Sequence, residues 1–268
     1  MLKDRYNRQI NYLRVSVTDK CNLRCNYCMP EEGLKLKKHE DILSLEELFD
    51  VVQYAVSIGF SKIRLTGGEP LVRKNIVFLV ESIGQLPGLK DFGLTTNGIL
   101  LPEFAPQLKK AGLNRVNISL DSLDKAKYKQ ITRGGDLDMV LAGIKAAQKE
   151  GLSPLKLNVV NIPGFNDNEK ENFLRFGKEN GLEVRFIHQM DLKEGQRNGV
   201  EGDTTVGQCT CCNRLRLTCD GNLKPCLFSA DNINIRELGV EKAFKQALET
   251  KPEYGVKNEA EHMYQIGG

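Results

Sequence analysis

The sequence has no uninterrupted run of about 18 apolar residues of the kind that spans a membrane. Its first fifteen residues, MLKDRYNRQINYLRV, lack the basic segment, apolar stretch and small-residue cleavage site of a secretion signal. An excess of one charge is also missing. Lys and Arg number 38 against 35 Asp and Glu, a net charge of +3, so no overall field draws the chain to nucleic acid or to a membrane surface. Low-complexity segments are absent, and the only repetition is an alternation of short strands and helices. These absences point to a cytoplasmic protein without nucleic-acid or membrane partners. With 268 residues, 40% of them apolar and 27% charged, it is near the upper size of a single domain and can bury a large core.

What is present is cysteine, unevenly placed. Three cysteines lie at 21, 25 and 28, five lie between 209 and 226, and none lies between the two groups. An even total of eight reads as a disulfide framework in a short secreted chain. In a chain of this length without a secretion signal it reads as reduced thiols that hold metal or do chemistry. Two separate metal sites are the simplest account.

Between the groups, NYLRVSV (11 to 17), KIRLT (62 to 66), FGLTT (92 to 96), RVNISL (115 to 120), LKLNVV (155 to 160) and EVRFIHQM (183 to 190) read as strands. A helix is expected after Ser44. Ser44 and Glu47 form a capping box, apolar residues from Leu45 to Val56 recur at helical spacing, and Gly59 ends the run. Further helices are expected over about 75 to 86, 103 to 112, 136 to 150 and 167 to 180. Strands alternating with helices imply parallel pairing through right-handed crossovers.

The strands do not read as the unbroken apolar runs of a sheet buried on both faces. Arg14 and Ser16 share a face, as do Lys62, Arg64 and Thr66, then Arg115, Asn117 and Ser119, then Lys156 and Asn158, then Arg185 and Gln189. The fold class expected is therefore α/β: a partial (βα)6 TIM-like barrel with a cation-lined concave side, rather than an open doubly wound sheet. Residues 1–190 make up this core. Residues 191–268 form a C-terminal extension that carries the second cysteine group.

Cys21, Cys25 and Cys28 are spaced C-x3-C-x2-C just after the first strand. Thiolates suit iron-sulfur clusters, whereas structural zinc takes four protein ligands. No fourth Cys lies near this loop, and the nearest His is His39. Three thiolates leave one iron of a four-iron cluster open to a small chelating ligand. Cys209, Cys212 and Cys226 repeat the theme as C-x2-C-x13-C. Cys211 and Cys219 are extra, so a four-thiolate zinc site stays open as an alternative there. Arg214 and Arg216, two apart in NRLRLT, point the same way with guanidinium forks suited to phosphate oxygens.

The motif CNLRCNYC, followed by GGEP (Gly67 to Pro70) after the second strand and TTNG (Thr95 to Gly98) after the third, resembles the radical S-adenosylmethionine (SAM) superfamily. Glycines at 67 and 68 permit the close approach of backbone, and the resemblance sets the backbone amides of this turn against the SAM amino group. The full series adds VNISLDSLD, VRFI, CNRLRLTCDGNLKPCLF and the terminal QIGG, and is similar to the GTP 3',8-cyclase family of molybdenum cofactor biosynthesis over nearly the whole chain.

The resemblance implies two [4Fe-4S] clusters and SAM as cofactors, with GTP or a related nucleotide as substrate. A flavodoxin or ferredoxin is the implied reductant, and a homodimer is compatible. It makes Cys21, Cys25 and Cys28 ligands of the SAM cluster and Cys209, Cys212 and Cys226 ligands of the second. Tyr27, Gly68, Ser119 and Met190 fall at SAM-contacting positions. Arg14, Arg64, Thr95, Lys156, Arg185, Arg214 and Arg216 fall at substrate positions, and Gly267 and Gly268 match a tail that reaches the active site. The stretch between Met190 and Cys209 is shorter than is usual in the family, and His188 stands where Glu is usual. A different nucleotide or a peptide substrate is the alternative reading.

Overall fold

The computed structural model describes residues 2–30, 32, 36–189 and 209–255. Met190, the 191–208 segment, Gly267 and Gly268 therefore lie outside the described residues, as does the side chain of His188. The described chain forms nine strands: β1 (Tyr12–Ser16), β2 (Lys62–Thr66), β3 (Asp91–Thr96), β4 (Arg115–Ser119), β5 (Lys156–Asn161), β6 (Glu183–His188), β7 (Arg214–Leu217), β8 (Asn222–Lys224) and β9 (Ile233–Asn234). Eight α-helices accompany them: α1 (Leu45–Ser57), α2 (Ile76–Gly84), α3 (Leu101–Lys110), α4 (Lys125–Thr132), α5 (Leu137–Lys149), α6 (Lys170–Glu179), α7 (Ile235–Leu238) and α8 (Val240–Thr250).

All nine strands belong to one sheet, in the order β6-β5-β4-β3-β2-β1-β7-β8-β9. β1 to β6 are parallel neighbours joined through helices, the expected partial (βα)6 barrel. The sequence reading did not give the next step. β7 lies parallel to β1 on its free edge, and β8 and β9 continue antiparallel, so the extension prolongs the sheet of the core. The expected boundary at 190 falls outside the described residues.

One face of the sheet is apolar and covered. Leu13, Val15, Ile63, Leu65, Phe92, Leu94, Val116, Ile118, Leu157 and Val159 alternate along the strands and are buried in one core with Leu48, Val52, Leu79, Leu108 and Val140 from the helices. Each such side chain contributes roughly 1.5–3 kcal/mol on burial, so this face fixes the register and turns every second residue toward the concave side. α1 begins as its sequence requires: Ser44 Oγ accepts from Glu47 N at 3.1 Å and Glu47 Oε2 from Ser44 N at 2.7 Å. Glu47 also receives Arg236, through Nε at 2.7 Å and Nη2 at 2.8 Å, which fastens α7 to the core. α4 and α8 were not anticipated. KAKYKQIT shows little apolar periodicity, and its helix is held by the buried Tyr128 and Ile131 and by an Asp124 cap. α8 packs Phe244 against Tyr54 and Phe60, with ring centroids 5.5 Å apart in each pair.

Candidate active site

Strand register assembles the concave face row by row. Arg216, Arg14, Arg64, Gly93 and Arg115 are successive partners across β7, β1, β2, β3 and β4. One step toward the N-terminal ends of these strands lie Arg214, Tyr12, Lys62 and Asp91. Thr95, Asn117, Lys156 and Glu183 form another row, and Ser119, Asn158 and Arg185 the next. The register thus brings together all seven substrate positions of the sequence reading, with Ser119 beside them. Gly93 has a steric role: a Cβ there would stand 3.3 Å from Arg64 Nη2 and from the Arg115 carbonyl.

The cations fall into two groups. Lys156 and Arg185 both pair with Glu183, Arg185 through Nη2 at 2.6 Å. Arg115, outside the predicted set, makes a two-pronged pair with Asp91 at 2.6 and 2.7 Å. Arg14, Arg64 and Arg216 differ, because they are crowded together, with Arg64 and Arg216 buried and Arg14 half-buried. Arg64 Nε and Nη1, Arg216 Nη1 and Thr95 Oγ1 are shut from solvent and have no hydrogen-bond partner among the described residues. Burial and the neighbouring Arg216 push the Arg14 guanidinium down to about 9, and burial and Arg214 push Arg216 down to about 10. Burial alone raises the Tyr12 phenol, yet Arg14, Arg64, Arg214 and Arg216 together draw it below its ordinary value. Such a row of like charges wants an anion with several oxygens. Tyr12 was not singled out in the sequence, since a tyrosine one position before an apolar strand residue carries no signal of its own.

The two thiol groups sit at opposite ends of the strands that carry this row. The loop with Cys21, Cys25 and Cys28 leaves the C-terminal end of β1, whereas Cys209 and Cys212 precede the N-terminal end of β7, which runs parallel to β1. β8 returns antiparallel to β7, with Lys224 opposite Arg216, so Cys226 comes back to the Cys212 end. None of the eight cysteines forms a disulfide. Among the described residues, no group of three His, Cys, Asp or Glu side chains converges as a single-ion site.

The first loop is shaped for thiolate ligands. Leu23 N donates to Cys21 Sγ at 3.4 Å, and Cys28 N and Met29 N turn back onto the Cys25 carbonyl at 3.0 and 2.9 Å. Arg24 N and Asn26 N bond Thr132 O and Ile131 O, so α4, missed in the sequence, is the shelf under the loop. Burial raises all three thiols, Cys28 to about 12. At the second group, burial would raise Cys212. Lys251 and Arg214 outweigh it and bring the thiol below its ordinary value.

Gly67 and Gly68 serve the loop directly. A Cβ on Gly67 would lie 2.6 Å from the Thr18 carbonyl, and one on Gly68 2.3 Å from the Lys20 carbonyl. Gly68 N donates to Thr18 O and Glu69 N to Lys20 O, both at 2.8 Å, so these two amides are engaged with the cysteine loop rather than turned to a ligand. Glu69 is buried and accepts from Thr96 Oγ1 at 2.8 Å, Asn97 N at 2.7 Å and Leu71 N at 3.1 Å. Asn97 Nδ2 in turn donates to Asn22 Oδ1 at 2.7 Å, which joins GGEP, TTNG and the cysteine loop. Burial lifts Glu69 to about 7 against these bonds. Tyr27 is fixed by its hydroxyl, which donates to Asp121 Oδ2 at 2.7 Å, and Asp121 also accepts from Val160 N at 2.7 Å.

An open parallel barrel with a three-cysteine loop after its first strand defines a class, and comparison with known proteins agrees. Residues 15–177 match the Radical SAM superfamily, and residues 203–263 match Molybdenum Cofactor Synthesis C. The SAM-bound anSMEcpe structure shares the fold, with a TM-score of 0.65 over 87% of this chain and 80% of that one at 17% identity. Streptococcus suis SuiB gives a TM-score of 0.62 over 93% of this chain and 68% of its own, at 14% identity.

More specific are the curated relatives. The GTP 3',8-cyclase of Alkaliphilus oremlandii is 43% identical over 94% of this chain and 93% of its own length. That of Peptoclostridium acidaminophilum is 43% identical over 100% and 98%. The chain belongs to the GTP 3',8-cyclase family of radical SAM proteins. The second alignment runs over 320 positions against 268 residues here, so that relative has segments without a counterpart in this chain. Among the described residues, no helix is long and apolar enough to cross a membrane.

Proposed function

We propose that this chain is a radical SAM lyase of the GTP 3',8-cyclase type. It converts GTP to (8S)-3',8-cyclo-7,8-dihydroguanosine 5'-triphosphate for molybdenum cofactor biosynthesis. The observation that carries this reading is the row Arg216, Arg14 and Arg64 between two three-cysteine groups at opposite ends of the same parallel strands. A polyphosphate laid on that row meets guanidinium forks whose repulsion it relieves, with Arg214 beside them and Lys156 and Arg185 on the far strands.

The donor sets fit two iron-sulfur clusters. Cys21, Cys25 and Cys28 would hold one and Cys209, Cys212 and Cys226 the other, each with three thiolates and hence an open iron. The first cluster, when bound, supplies the electron that cleaves SAM to the 5'-deoxyadenosyl radical. Tyr27, Gly68, Ser119 and Met190 would hold SAM. An ammonium only donates hydrogen bonds, so on the Gly68 turn it is the carbonyls, not the engaged amides, that suit the SAM amino group. Guanine at the second cluster and triphosphate on the arginine row would set the ribose toward the first.

In this reading residues 1–190 form the SAM core and 191–268 the part that brings the second cluster and a Gly267-Gly268 tail. An acidic flavodoxin or ferredoxin is the reductant, the compartment is the cytoplasm, and a homodimer is compatible. The test is to incubate anaerobically reconstituted, reduced protein with SAM and GTP, ATP, CTP or UTP in turn, following 5'-deoxyadenosine and nucleotide products by mass spectrometry. GTP alone should give deoxyadenosine with an equal amount of an isomer of GTP. Equal SAM cleavage with every nucleotide, and no cyclised product, would sink the proposal.

A further inference from the structure

At the second thiol site, the least expected group is a buried lysine. Lys251 follows the last turn of α8 and is 1% exposed. Its ammonium donates to Arg214 O at 2.8 Å and to Pro225 O at 2.6 Å, and its charge acts on the Cys212 thiol. Those two bonds use two of the three N–H groups of an ammonium. The first carbonyl lies two residues after Cys212 and the second belongs to the residue before Cys226, so a single side chain ties both sides of the β7–β8 hairpin where the cysteines emerge.

A buried ammonium is costly unless an anion answers it. Among the described residues, the hydrogen-bond partners of Lys251 are two carbonyls, not a carboxylate. The anion available is the thiolate set itself.

The lysine is held rigidly. Ala243, Phe244, Ala247 and Leu248 bury one face of α8. Immediately beyond Lys251, Arg8 binds the chain through Nη2 to Pro252 O at 2.7 Å and Nη1 to Glu253 O at 2.9 Å. The same Nη1 reaches Cys209 O at 2.7 Å, and Arg8 Nε is anchored by Asp4 at 2.6 Å. Arg8 therefore braces Cys209 and the Lys251 segment together.

We propose that Lys251 is a positioning residue of the second cluster: through its two carbonyl bonds it sets the spacing of Cys212 and Cys226 and, by its charge beside them, raises the reduction potential of that cluster. The inference rests on the reading that Cys209, Cys212 and Cys226 hold a cluster. A cation close to a ligand sulfur favours the more negative, reduced state, which is the physical basis of the shift. Lys251→Arg keeps the charge, Lys251→Gln keeps a donor without it, and Lys251→Met keeps neither.

Full-length protein and the three variants are reconstituted anaerobically, assayed for iron and sulfide, and titrated by potential with electron paramagnetic resonance detection. Addition of SAM marks which signal belongs to the first cluster. The expected result is wild-type iron in Lys251→Gln, with the midpoint of the SAM-insensitive cluster moved to a more negative potential. Lys251→Arg should restore the wild-type midpoint, and Lys251→Met should fall from about eight irons per chain to about four. Loss of the second cluster in Lys251→Gln with retention in Lys251→Arg also supports the proposal. Unchanged iron and unchanged midpoints in both Gln and Met variants overturn it alone, whereas a wild-type protein with a single cluster overturns both it and the two-cluster reading.

Discussion

Arg14 and Arg216 occupy the same register position of the parallel β1–β7 pair, and Arg64 holds that position on the other flank of Arg14. Neighbouring strands are about 4.8 Å apart, so three like charges start from adjacent backbone positions, and Arg216 and Arg64 both lower the proton affinity of Arg14. The protein maintains this row at a cost to its own stability, as binding sites often do. Arg216→Met should therefore stabilise the ligand-free protein by about 1 kcal/mol, a rise of roughly 2–4 °C in melting temperature. The same change should weaken GTP about tenfold to a hundredfold, through loss of a charge-assisted fork. Melting curves with and without GTP check both effects together. A variant that melts lower than wild type yet keeps its full GTP-induced shift would show that the row does not bind phosphate.

Glu183 receives both Lys156 and Arg185, so two of the expected substrate cations are already occupied by one half-exposed carboxylate. Substrate phosphate has to displace it. Glu183→Gln keeps the size of the side chain but frees most of the charge of the pair, and the exposed setting limits the gain to about 1 kcal/mol. The expected outcome is GTP binding tightened about threefold to fivefold, with a steeper loss of affinity as salt is raised. Equilibrium dialysis at two ionic strengths measures this. Weaker binding in the variant would mean that Glu183 itself faces the substrate.

Much of this arrangement is legible in the sequence, for a physical reason. A strand shows one face at every second residue, so Arg14, Arg64, Asn117, Lys156 and Arg185 could be set on one side of a sheet from spacing alone. The Ser44–Glu47 box marked the start of α1 because both partners of a capping box lie within four residues. What could not be read depends on contacts distant in sequence. β7 joins β1 across some 200 residues, Lys251 meets Cys212 only after α8 has packed, and Tyr12 matters only because four arginines gather round it. α4 escaped because only Tyr128, Ile131 and Thr132 of its eight residues are buried, too short a stripe to show in the sequence.

Glu69 joins three loops and has its folded value near 7, above its ordinary 4.5, because of burial. A carboxyl group raised in this way favours the folded state while protonated. Its contribution is present in full below about 4.5 and is lost as pH rises through about 7. Over that window stability should fall by as much as about 1.4 kcal/mol per pH unit. Asp121, raised by burial to about 6, adds a change of the same sign at lower pH. Urea unfolding of the metal-free protein from pH 4.5 to 8 tests this. Glu69→Gln should be less stable at every pH, since its amide cannot accept from Asn97 N, but should lose the slope between pH 6 and 8. An undiminished slope there in the variant rules Glu69 out as the source.

Cys219 decides whether the second site has three thiolates or four. It is 1% exposed, its thiol is pushed up to about 12 by burial and Asp220, and its carbonyl accepts from Leu43 N at 2.8 Å. It follows the C-terminal end of β7, whereas Cys212 precedes the other end. Six residues of mostly extended chain separate the two cysteines by on the order of 15–20 Å, too far for a shared metal. Cys211 lies in the short turn Cys209–Cys211 and is exposed. Cys219→Ala and Cys211→Ser should therefore keep about eight irons per chain and wild-type GTP binding, the first at a cost of about 1 kcal/mol for the vacated core volume. Cys212→Ser should lose about half the iron and bind GTP poorly, while the SAM-sensitive signal persists. Iron analysis with paramagnetic resonance of the three variants separates the cases. Loss of half the iron in either Cys211→Ser or Cys219→Ala would restore the four-thiolate zinc or iron alternative and remove the open coordination position that guanine requires.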